Sequence, residues 1–234
     1  MDSEKIDNMA PPCANGAAGA EAEKSSILVN VMFFRALDNV SFGTILLVFL
    51  LCFKGMLDVL PIPFIQYSYI IPIYMIFSGV MHFPEKGFQL FQYRKSLFRL
   101  VWGTIFMLLL SPFLQWWSID TNSPYLLFNF LLFCISVVFF IISLSNLFNA
   151  VAREEGIRWV SRISRLTRFT ALYLMMAPLL AFFVTVLLGK CVGQDIFLFV
   201  VRLEKWKLIV FLVPVFLTLM MLIQLRYAKY RNLK

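Results

Sequence analysis

From residue 40 onward, long apolar stretches alternate with short polar ones, and six of them approach the roughly 20 residues that carry a helix across a hydrocarbon core. They cover 40–60, 62–81, 100–117, 125–147, 170–188 and 208–225. Their polar interruptions are mostly Ser, Thr, Asn, Gln and Tyr, which bond to backbone carbonyls or to neighbouring helices in a bilayer. Lys54 and Asp58, near the end of the first stretch, are four residues apart; they can pair on one helix face, and lysine can reach the headgroups. The pattern predicts an all-α integral membrane fold: a six-helix transmembrane bundle with both termini cytoplasmic and one or two interfacial amphipathic helices. The bundle forms a single transmembrane domain over 26–234, after a polar tail at 1–25.

That tail is rich in Ala, Gly and Glu and lacks a basic region followed by an apolar one, so it reads as a disordered cytoplasmic tail and not as a signal peptide. The stretch 27–37 is apolar but carries Asn30, Arg35 and then Asp38, which fall within about 140° of one another at helical spacing. This predicts a short helix lying in the interface. A second segment is more sharply divided. Arg158, Arg162, Arg165 and Arg168 fall within about 120°, with Trp159, Val160, Ile163, Leu166 and Phe169 on the other side. The expectation is a basic amphipathic helix on the inner leaflet, its arginines on lipid phosphates. A docking surface for an acidic partner and a plain extension of the next helix are the alternatives.

Composition removes the soluble reading. Of the 234 residues 61% are hydrophobic and 15% charged, with a mean hydropathy of +0.82, whereas a soluble chain of this size buries only about 70% of its surface. Phenylalanine occurs 26 times against 10 glycines, which suggests a lipid-exposed bundle with modest internal packing. The net charge of +8 needs no nucleic acid, because basic residues collect at cytoplasmic helix ends beside anionic lipid. Under the six-span layout 16 Lys and Arg fall on the side of the termini and 5 on the other, which places both termini inside. The segment 190–207 runs against this bias, and its core at 196–201 is too short to span and reads as interfacial or re-entrant. Trp116 and Trp117 are placed as an outer aromatic belt, and Trp159 and Trp206 also flank spans.

Candidate chemistry is sparse. Cys13, Cys52, Cys134 and Cys191 form no C-x-x-C pair, so no zinc site or disulfide framework is indicated; a bridge between Cys52 and Cys191 is the one conceivable pairing. His82 is the only histidine, too few for paired metal ligands, and reads as a hydrogen-bonded interfacial residue. No nucleophile elbow, phosphate-binding glycine loop or dinucleotide fingerprint is present. Glu154, Glu155 and Arg158 resemble the paired glutamates and arginine of the membrane-embedded CAAX-protease-like family. The arginine comes one residue early and the later histidines are missing, so the acidic pair reads as a helix start favoured by its dipole. The spans carry no central charge of the kind that ion-coupled transport uses. A softer set, Gln66, Tyr67, Tyr74, Asn129, Ser136 and Ser143, can line a polar path between the second and fourth helices. Pro72, Pro112, Pro178 and Pro214 lie within spans and predict kinks.

These features predict no catalytic residue, cofactor or metal. The leading expectation is a non-enzymatic structural or accessory membrane protein, multi-pass in the plasma (cytoplasmic) membrane, whose partners are the lipid bilayer, anionic inner-leaflet lipids and another membrane protein. The layout also resembles that of permease subunits of some ATP-driven exporters. That resemblance implies transport of a hydrophobic or lipid-linked substrate with a separate cytoplasmic ATPase. A membrane-embedded enzyme is the third and least favoured reading.

Overall fold

The computed structural model describes residues 14–52, 68–84, 91–120, 123–188 and 205–232, and every element among them is helical. The helices are α1 (Ala14–Cys52), α2 (Ile70–Met81), α3 (Phe91–Ile119), α4 (Pro124–Glu154) and α5 (Arg158–Thr170). A π-helical turn (Ala171–Met176), α6 (Ala177–Leu187) and α7 (Lys205–Asn232) complete the order. Among the described residues five stretches are long and apolar enough to cross a membrane: Leu28–Leu50, Phe91–Leu114, Pro124–Glu154, Arg158–Thr185 and Leu212–Arg231. Large side chains such as Phe42, Ile71, Phe106 and Leu109 point outward, a surface that is stable in lipid and not in water. The second expected span, 62–81, is represented by the shorter apolar helix α2. Its first residues, the Lys54–Asp58 pair, the tail before Ala14, the expected re-entrant core at 196–201, and Cys191 all lie outside the described residues.

Helix α1 departs from expectation. The stretch 27–37 is no separate interfacial helix; it belongs to one continuous helix, and the apolar span starts at Leu28, not at residue 40. Phe33, Ala36, Leu37 and Val40 are fully buried. Two of the polar residues that suggested an interfacial position, Asn30 and Asp38, are matched by α7 instead, while Arg35 is exposed. Asp38 Oδ1 lies 2.9 Å from Arg226 Nη1, and Asn30 Oδ1 accepts from Lys229 Nζ at 3.1 Å. Polar side chains paired across a helix contact carry a much smaller desolvation cost than unpaired ones, so α1 can stand upright among its neighbours.

The packing runs as a ring. α1 pairs with α2, α2 with α3, α3 with α4, α4 with α5 and α5 with α7, and α7 returns to α1. The α1–α2 crossing is close because of two glycines: a Cβ at Gly43 would stand 2.7 Å from the Pro72 carbonyl oxygen, and one at Gly79 would stand 3.0 Å from that of Ala36. Internal packing is therefore tight here, contrary to what the Phe-to-Gly ratio suggested. Tyr93 Oη donates to the Pro84 carbonyl at 3.0 Å, tying the exit of α2 to the start of α3. Phe83 then stands edge-on to both Phe33 (centroids 5.5 Å apart) and Phe148 (6.0 Å). Residues 30–33, 83–84, 91–93, 148–158 and 229 thus mark one end of the bundle, at which the apolar span of α1 begins and α7 ends. At the other end Trp117 stacks on Phe130 with centroids 4.2 Å apart, while Trp116 stays exposed.

Local sequence sets the boundaries of α4. Ser123 accepts from the Leu126 amide and Pro124 opens the first turn, the N-terminal arrangement that leaves fewest orphan donors. At the far end Gly156 has φ +72° and the Ile157 amide reaches back to the Ala152 carbonyl at 2.8 Å, a Schellman closure. The chain reverses there and enters α5, which continues through the π-helical turn into α6 as one span, Arg158–Thr185. The basic segment 158–168 lies in α5 and opens a candidate span. Its apolar side is divided: Val160 and Ile163 are buried with Ser164 and Thr167, whereas Trp159, Leu166 and Phe169 are exposed. The stripe 160, 163, 164, 167 has the spacing that faces a neighbouring helix, and α4 and α7 occupy it. The π-helical turn immediately precedes Pro178, whose missing N–H and ring disturb α-helical bonding to residue 174.

Candidate functional site

Three serine, asparagine and arginine links fix α5 against α4. Ser161 Oγ donates to Asn149 Oδ1 at 2.8 Å, Ser164 Oγ donates to the Ser145 carbonyl at 2.5 Å, and Arg168 Nη1 donates to Asn146 Oδ1 at 2.9 Å. Because α4 and α5 are joined by the short Gly156 turn, these links hold the last turn of one helix beside the first turns of the other. Between them lies a cleft of about 310 Å³ lined by Ala152, Arg153, Gly156, Arg158, Ser161, Arg162 and Arg165.

Four arginines line this cleft, Arg153 from α4 and Arg158, Arg162 and Arg165 from α5. All four residues are exposed, and among the described residues none makes a hydrogen bond or ion pair within the fold. Among the described residues no carboxylate lines the cleft. The nearby Glu155 is engaged elsewhere: its Oε1 lies 3.1 Å from Lys229 Nζ, and that ammonium also sits 4.6 Å from the Phe33 ring centroid. Like charges at the water interface repel weakly, by about 1 kcal/mol at 4 Å in bulk water, so the fold tolerates the cluster. An anion entering it meets donors already in place, with charge-assisted and bidentate geometry available.

Of the arginines singled out by sequence, the structure brings Arg158, Arg162 and Arg165 together and diverts Arg168 to Asn146. Arg153 was missed, although the E-E-G turn that folds it back beside Arg158 is a readable signal. The polar path does not assemble among the described residues. Gln66 and Tyr67 lie outside them; Tyr74 is exposed on α2. Asn129 Nδ2 donates to the Tyr125 carbonyl and Ser136 Oγ to that of Leu132, both within α4. Ser143 is buried, about 21 Å from Asn129 along the helix at 1.5 Å per residue. His82 Nδ1 stands 2.6 Å from the Ser78 carbonyl oxygen, the hydrogen-bonded position expected of it. Among the described residues no group of His, Cys, Asp or Glu could hold a metal ion. Comparison of the chain with protein families, curated proteins and solved structures found no match.

Proposed function

We propose that this protein is a non-enzymatic, multi-pass accessory protein of the membrane, whose basic bundle end holds to the anionic cytoplasmic leaflet. The observation that carries the reading is the set of exposed arginines Arg153, Arg158, Arg162 and Arg165, unpaired among the described residues. The first turns of α3 add the exposed cations Arg94, Lys95 and Arg99 to the same end. Juxtamembrane cations of this kind are attracted by about 1 kcal/mol each to an anionic surface. Both chain ends of the bundle lie on that side, which supports cytoplasmic termini under the positive-inside rule.

The test has two readouts. In a cysteine-free background, Asp120→Cys in intact cells should react with a membrane-impermeant maleimide, and Arg158→Cys only after permeabilisation; the reverse pattern would refute the orientation. In lipid discs, the melting temperature of the full chain should rise with the fraction of anionic lipid, and Arg→Gln at all four cleft positions should flatten that rise. A wild-type protein indifferent to anionic lipid would remove the anchoring role.

A further inference from the structure

The cleft between α4 and α5 is more than a diffuse basic surface, and we infer that it is a discrete site for a phosphate monoester group, such as the headgroup of phosphatidic acid. The inference rests on the reading above and adds a ligand chemistry to it. Three features carry it. First, the lining arginines come from two helices, and two other lining residues, Ala152 and Gly156, have little or no side chain to fill the space. A Cβ added at Gly156 would meet nothing within 4 Å. Second, the positions are fixed from behind by the Ser161–Asn149 and Ser164–Ser145 bonds, so the arginine stems start from a rigid base. Third, among the described residues none of the four arginines is paired with an acid. At about 310 Å³ the cleft holds a phosphate and some of its water, since one water occupies ~30 Å³ in the liquid.

The number of donors selects the ligand. Arginine presents a planar fork of five N–H groups that engages phosphate bidentately. A phosphodiester offers two free oxygens and one negative charge, too few acceptors to satisfy arginines from two helices. A monoester offers three oxygens and, with its second ionisation near pH ~6, a charge between about −1.5 and −2 at neutral pH. Phosphatidylserine adds an ammonium group that the cleft repels. The preferred order is therefore monoester first, then the diesters.

Native mass spectrometry of the full-length protein in neutral detergent tests this, with phosphatidic acid, phosphatidylglycerol and phosphatidylserine of matched acyl chains as separate probes. One phosphatidic acid per chain should be retained at several-fold lower lipid concentration than either diester. Arg158→Gln with Arg162→Gln should weaken it by about tenfold, the loss of roughly one charge-assisted contact. Arg94→Gln with Lys95→Gln, which removes the same charge from the same end outside the cleft, should weaken all three lipids alike and leave the preference for phosphatidic acid unchanged. Arg153→Gln, on the other helix, repeats the first test if the double variant does not fold. Inorganic phosphate as competitor separates the sources: displacement at millimolar concentration assigns the site to soluble phosphate compounds, and resistance assigns it to lipid, both within the inference. Equal retention of all three lipids, or equal loss of that preference in the α3 control, would overturn the cleft while leaving anionic anchoring intact. No binding of any anionic lipid would sink both.

Discussion

Replacing Gly79 by alanine probes the α1–α2 crossing. The new Cβ would stand 2.8 Å from Val40 Cγ2, 2.9 Å from Val40 N and 3.0 Å from the Ala36 carbonyl oxygen. Two effects compete. Alanine is favoured over glycine inside a helix by roughly 1 kcal/mol. Overpacking typically costs about 1–3 kcal/mol, and the upper half of that range applies because two of the three atoms belong to backbone that no rotamer change can move. The net expectation is a destabilisation of about 1–2 kcal/mol, or some 2–8 °C in melting temperature at the usual scaling for a chain of this size. Gly43→Ala should behave alike, since its Cβ would meet the Pro72 oxygen and Ile76 Cγ1, each at 2.7 Å. Gly103→Ala is the internal control: its nearest atoms are ring carbons of Phe139 at 3.1 and 3.6 Å, which can tilt away, so helix propensity should prevail and the variant should melt at or above wild type. Thermal unfolding of the purified variants in one detergent, followed by tryptophan fluorescence, gives the ranking. If Gly43→Ala and Gly79→Ala both melt at or above wild type, the two helices do not approach as closely as described.

Three further outcomes are expected. Lys229→Met should destabilise by ~3 kcal/mol, because it leaves the half-buried Glu155 carboxylate without its partner, and Glu155→Gln in the same chain should restore part of the loss; detergent melting of the double-mutant cycle measures the coupling. Asn146→Ala removes the acceptor of Arg168 and should cost about 1–2 kcal/mol, whereas Asn129→Ala, whose amide bonds only within its own helix, should lie within about 0.5 kcal/mol of wild type. Trp117→Leu removes the stack on Phe130 and should cost ~1 kcal/mol beyond the lost apolar area, read by the same melting assay.

Much of this was legible from residue types. The periodicity of Arg158, Arg162 and Arg165 put them on one helix face, and α5 keeps them there. The acidic pair Glu154 and Glu155, expected at a helix start, instead closes α4 before the reversal at Gly156. The readings that failed share one cause, that of judging a polar residue without its partner. Asn30 and Asp38 look incompatible with an upright helix until they meet Lys229 and Arg226, nearly 200 residues away. Arg168 belonged to the basic face by angle, yet Asn146 removes it from the cleft, and Arg153 joins it although it lies on another helix.

The sequence by itself determined the solvent, the helical class and the end of the bundle at which charge collects, because hydropathy and charge are properties of residues and add along a chain. Only the tertiary structure decided where α1 enters its apolar span, how closely α1 and α2 cross, and which arginines share a cleft. Those depend on pairs of residues, and a helical pattern names the face that must be covered without naming what covers it.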